Sequence, residues 1–189
     1  MGKSLGLTVQ DIDDHMKSSW GNRVEKTIEF DNILKEGKSN YVHDTQVTIL
    51  ANGFVAIHRV QKHALKNATN TISQILTLSE DITSRVDSLA LFEIYQNLFK
   101  NNIKAGILKF LLHYDIFKHF FELPTKTEVK ILLLKKRLFA IKIIAQHLSL
   151  SPKTVACHLD NLKTKLSCDL SQIEIKDTLD FSNIILNSP

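Results

Sequence analysis

Strand-forming sequence is confined to one stretch of this 189-residue chain and stops at Thr83. From His43 to Leu50 and from Phe54 to Val60 the residues are rich in Val, Ile, Thr and Phe, and Asn52-Gly53 between them is a strong hairpin signal, because both residues accept positive φ. A third such run, "TISQILTLSEDIT", follows the turn-forming cluster "KNATN". Ahead of the strands, "WGNRVEKTIEFDNILKEGKS" reads as a helix from Trp20, with Val24, Ile28 and Leu34 roughly on one side and Gly37 at its end. Beyond Thr83 the period becomes helical. Leu91, Ile94, Tyr95 and Leu98, then Ile103, Ile107, Phe110, Leu111 and Tyr114, recur at helical spacing, with a break near Asn101-Asn102. After Pro124 further helices are expected at about 125–136, 139–148, 152–166 and 171–186. Strands segregated from helices along the chain give an α+β fold.

The composition, 43% hydrophobic and 23% charged with three prolines, is that of a folded chain long enough for one ordinary domain or two small ones. The longest apolar run, Ile131–Leu134, is far short of a membrane span, and the N-terminus lacks a basic-then-apolar signal, so a cytoplasmic protein is expected. Cys157 and Cys168 supply no secreted disulfide framework and read as reduced thiols. Catalytic signatures are missing from the sequence: there is no glycine-rich phosphate loop, no nucleophile elbow, no metal box and no spaced acid pair.

Charge is unevenly distributed. The chain carries +4 in total, yet Leu123–Cys168 alone holds nine cations against Glu128 and Asp160, a net +7 that leaves −3 for the remainder. A cationic end joined to a slightly acidic one suits a polyanion-binding module attached to a different one.

Within the cationic end, "LSLSPKTVACHLDNLKTKL" begins as a helix should: Ser151 as cap, Pro152 at the first helical position, and Val155, Leu159, Leu162 and Leu166 at spacings of four, three and four. The remaining faces carry small, polar and cationic groups that read either as an ordinary solvated surface or as a surface shaped for a DNA groove. Ala145 is small where two helices must cross closely, and "SLS" makes the short turn between them. The region "LPTKTEVKILLLKKRLFAIKIIAQHLSLSPKTVACHLDNLKTKL" closely resembles the four-helix DNA-binding domain of the LuxR family, also called the GerE or FixJ type, in Thr125 and Glu128, in Lys142, Ile144, Ala145 and Leu148, and in the series from Ser151 to Leu166. The resemblance implies that residues Ala156, Cys157 and Asp160 face base edges, that Lys153, Thr154, His158, Asn161 and Lys165 serve phosphates or fix the helix, and that Ser151 and Lys163 complete the DNA-binding set. It also implies a dimer helix at the C-terminus, with Ile173, Ile175, Leu179, Ile184 and Ile185. The chain departs from the family pattern at Leu138, Ile143 and Ser167, and Asp160 is an anion on the groove-facing side, tolerable only where it accepts from a cytosine amine.

The three-strand region resembles the second half of a PAS sensory domain, on "LKNATNTISQILTLSEDIT" ending in "DIT" (Asp81-Ile82-Thr83), on "GKSL" at Gly2–Leu5, on the helix ending "LKEGKS" and on the Asn-Gly turn. The upstream strands of a full PAS fold have no counterpart, so the resemblance implies a shortened domain, completed by a dimer partner or surviving as a remnant. Trp20, Phe30, Phe54 and Ile57 read as packing residues, and His43, His58 and His63 fall on adjacent strands without a metal-ligand spacing. The expected organisation is then a partial PAS-like domain at 1–83, connecting helices at 84–122 whose stripe of Val86, Leu89, Phe92, Leu98 and Phe99 is core or a dimer seam, and the DNA-binding domain at 123–189. These readings imply a homodimeric transcription regulator that binds double-stranded DNA, with room for a small-molecule ligand in the PAS-like region and no cofactor or metal nominated. The alternative is a sensory or protein-interaction adaptor that has lost DNA binding, with Asp160 as its clearest support.

Overall fold

The computed structural model describes residues 23–137 and 139–175, and the chain divides into two compact units after Ser84. Among the described residues the architecture is α+β: a three-stranded antiparallel sheet with one α-helix in the first unit, and helices in the second.

In the first unit, α1 (Arg23–Lys35) precedes β1 (Tyr41–Ile49), β2 (Val55–Lys66) and β3 (Ile72–Asp81), in the order β1-β2-β3. Trp20, expected to open the helix, lies outside the described residues, and Gly37 follows its end with φ 71°. The hairpin at Asn52-Gly53 forms, but not as a two-residue turn. Gly53 N–H donates to Leu50 O (2.8 Å), which puts Ala51 and Asn52 at the centre of the turn and Gly53 after it with φ 80°. At the second hairpin Asn70 takes the left-handed conformation at φ 60°, while the Asn67 carboxamide accepts from the Thr69 and Thr71 amides.

β2 runs six residues past Val60, through "QKHALK", where the polar sequence had signalled no strand. Pairing to both neighbours holds it: Tyr41 stands opposite His63, and His63 opposite Leu76. Lys62 is buried under α1, where its ammonium meets the Asp31 carboxylate and the Thr27 carbonyl. A second ion pair, Lys26 to Asp44 at 3.3 Å, also joins α1 to the sheet, and Leu34 supplies the helix's buried apolar contact. Phe30 and Phe54 are only half-buried, whereas Ile57 is core. The "DIT" stretch closes the unit. Ile82 N–H donates to Ile57 O, Ile57 N–H donates to Thr83 Oγ1, and that hydroxyl donates to Asp81 Oδ1.

The second unit begins with α2 (Ser88–Leu98), capped by Asp87, and α3 (Ile103–His113), capped by Asn102 at the expected break. Their interface is aromatic: Phe110 lies edge-on to Phe92 at 4.8 Å and to Tyr95 at 5.8 Å. Leu98 of the expected stripe is exposed, while Phe92 is fully buried beside Leu91 and Tyr95. Gly106 permits the close crossing, since a Cβ there would stand 3.0 Å from Phe99 Cβ and 3.2 Å from Tyr95 O. Both helices also contact α4 (Lys126–Lys136), so residues 85–122 belong to the same compact unit as the helices that follow.

Gln96, buried at this crossing, has no hydrogen-bond partner on either side-chain polar atom among the described residues. A buried unpaired carboxamide costs roughly 1–3 kcal/mol. Gln96→Leu is therefore expected to raise stability by about 1 kcal/mol or more in denaturant titration, with the m-value unchanged.

The chain continues through α5 (Ile141–Leu148) and α6 (Pro152–Thr164). α5 starts two residues later than expected, because Ala140 keeps extended backbone as its cap. Ile131, Leu134, Ile144, Ala145, Val155 and Leu159 form one core beneath these three helices. Beyond α6, Phe121 N–H donates to Lys165 O and Ser167 N–H donates to His119 O, both at 2.9 Å, so the segments flanking α4 and α6 pair as a short antiparallel clip. The helix expected from residue 171 does not begin there. Leu170–Gln172 is a single 3-10 turn and Ile173 is extended and buried, its side chain taken into the unit; Leu179, Ile184 and Ile185 lie outside the described residues.

Candidate nucleic-acid interface

α6 is fixed at both ends and along one side. Ser151 Oγ accepts from Thr154 N–H at 3.0 Å, Pro152 occupies the first helical position, and Ser149, at φ 54°, turns the chain out of α5. Val155, Leu159, Leu162 and Leu166 face inward and are buried. The opposite stripe is open: Lys153, Cys157, Asp160, Asn161 and Thr164 are exposed, with Thr154, Ala156 and His158 half-buried beside them. Ser151 is exposed, but its oxygen is already committed to the cap. Burial of every fourth or third residue therefore leaves one complete polar face to solvent.

The lysines do not all stand on that face. Lys165 reaches back to Glu128 Oε2 at 3.0 Å, with 15% of its side chain exposed against 3% for Glu128, so it is an interior tie and not a rim cation. Lys163 pairs with Asp160 at 3.0 Å, where both groups are exposed and the pair is worth little. Elsewhere Lys130 pairs with Glu93 at 2.8 Å and Arg137 with Asp87, two carboxylates of the α2 region that a count along the chain had assigned to the other end. Lys126, Lys135, Lys142 and Lys153 are exposed and in no ion pair among the described residues.

Glu128 ties the start of α4 to the end of α6. It closes a capping box with Thr125, whose amide donates to Glu128 Oε2 at 2.7 Å, and it accepts from Lys165 at the C-cap of α6. Burial pushes its carboxyl pKa upward, but the Thr125 amide and the Lys165 ammonium outweigh burial and hold it below its ordinary value. The Thr-x-x-Glu spacing announces the box in the sequence; the partner 37 residues away carries no local signal.

Cys157 and Cys168 are free thiols, exposed and half-buried respectively. His43 and His63 flank Tyr41, at ring separations of 5.4 and 4.8 Å, while His58 is directed to Ser79, so the three do not converge. Among the described residues no group of His, Cys, Asp and Glu could hold a metal, and no helix is long and apolar enough to cross a membrane.

No family model matches the chain. No curated protein is similar to it. Among solved structures, it is similar to VqmA from Vibrio cholerae in a complex with ligand and DNA, at 15% identity and a TM-score of 0.38, covering 82% of this chain and 61% of that one. It is also similar to a phage VqmA bound to DPO, at 16% identity and a TM-score of 0.31, covering 75% of this chain and 55% of that one. The chain spans about three fifths of the length of the solved chains it matches. Superpositions this loose, at such identity, assign neither residues nor activity.

Proposed function

We propose that the chain is a DNA-binding transcription regulator in which α5 and α6 act as a LuxR-type helix-turn-helix. The observation that carries this reading is α6 itself: a capped helix held down by Val155, Leu159 and Leu162 and preceded by a short turn, with its opposite stripe open to solvent. Such a helix meets the requirements of a major-groove reader, whose N-terminus also favours phosphate. Lys153 serves phosphate, Ala156, Cys157, Asp160 and Asn161 meet base edges or the backbone beside them, and Lys142 adds a cation at the start of α5. Lys165 takes no direct part. The first unit is the PAS-like sensory or dimerising portion, with room for a small-molecule ligand, and a homodimer places two recognition helices on one face of the DNA.

A salt-titrated gel shift with the intact chain and genomic fragments tests the reading. Lys153→Ala is expected to weaken binding to all sequences and to reduce the salt slope by about one. Asp160→Asn is expected to strengthen binding, because it removes an anion and frees Lys163. No binding at low ionic strength would favour the protein-interaction adaptor, for which the pairing of Lys163 with Asp160 and the withdrawal of Lys165 are the supporting observations.

A further inference from the structure

A cavity of about 490 Å3 lies within the second unit, between the start of α3, the segment leading into α4 and the C-cap of α6. Its size falls in the range of ligand pockets, roughly 300–1,000 Å3. Ile103, Ile107, Leu123 and Pro124 supply an apolar lining, and Ile103 remains half exposed. Lys104, Lys126 and Lys165 stand around this lining together with Glu122. Lys165 is neutralised by buried Glu128, so two ammoniums and one exposed carboxylate remain, an excess of one positive charge. Glu122 reaches Lys165 at only 3.7 Å with 74% of its side chain exposed, which is long for a charge-assisted contact. The chain's own carboxylate loosely occupies a position suited to an anion.

From the apolar lining and this charge we infer that the cavity binds a small amphipathic monocarboxylate, its alkyl chain on Ile103 and Ile107 and its head among Lys104, Lys126 and Lys165, displacing Glu122. The dipole of α4, whose first turn borders the cavity, favours the same anion. An effect of such a ligand on DNA affinity, through Lys165 at the C-cap of α6, rests on the function proposed above. Binding itself does not.

The test uses the intact chain labelled at isoleucine methyls, titrated with sodium octanoate and followed by NMR, with Ile103 and Ile107 assigned through Ile→Val variants. Saturable shifts at these two methyls are expected at or below about 1 mM. Decanoate should bind about fifteenfold tighter, at about fourfold for each of its two added methylenes. Octanol, octylamine and the surface variant Lys104→Ala/Lys126→Ala with octanoate should each weaken the interaction by roughly fivefold to tenfold. Absence of a saturable shift, shifts confined to other isoleucines, equal affinity for octylamine, or an unchanged constant in the double variant would each overturn the assignment.

Discussion

Replacing Lys165 by alanine is expected to destabilise the second unit by about 3 kcal/mol, because breaking a buried ion pair leaves the surviving charge without a partner. Glu128 is almost fully buried and would keep Thr125 but no cation to offset its charge. Denaturant titration at neutral pH measures the loss. The effect has a pH signature whose sign is fixed. In the folded chain Glu128 titrates below its ordinary 4.5, so its contribution to stability is complete above that value and is lost as pH falls through the lower folded one. The gap between wild type and Lys165→Ala therefore narrows in acid. A surface phosphate contact at Lys165 would behave differently: the variant would keep its stability at every pH and lose DNA affinity alone.

Phe110→Ala is expected to cost about 3–5 kcal/mol, as for other large buried aromatics. Phe110 is fully buried and packs against Phe92, Tyr95 and Tyr114. Because α2 and α3 contact α4, the loss is expected to travel into α4–α6. Circular dichroism and hydrogen exchange of the α6 amides should report one coincident transition, shifted equally in the variant. Were 84–122 a separate connector, α6 would retain its protection while α3 melted.

The parts legible in the sequence were those set by neighbours along the chain. Ser151, Pro152 and the spacing of Val155, Leu159 and Leu162 define α6 through caps and period alone, and Asn102 marks the break before α3 through its side chain. The parts that escaped depend on partners far away. β2 continues past Val60 because β1 and β3 pair with it, and Lys62 tolerates burial because Asp31 of α1 meets it. No local pattern reveals that lysine as interior. Of the two roles open to Lys165, phosphate contact or fixing the helix, the choice likewise depends on a distant partner. Its spacing sets it on the cationic side of a helix, whereas contact with Glu128 draws it inward. Charge counted along the chain likewise overlooked Asp87 and Glu93, which fold back onto Arg137 and Lys130.

β3 is the last strand of its sheet among the described residues, and it presents Leu76 and Leu78 outward on an uncharged stretch, Ile72–Leu78, that contains no proline. Nothing in that stretch discourages a second molecule from adding its own strand in register and prolonging the sheet into a fibre. Of the two edge strands described, β1 carries Asp44, so β3 is the one whose outer stretch lacks a charge against such pairing.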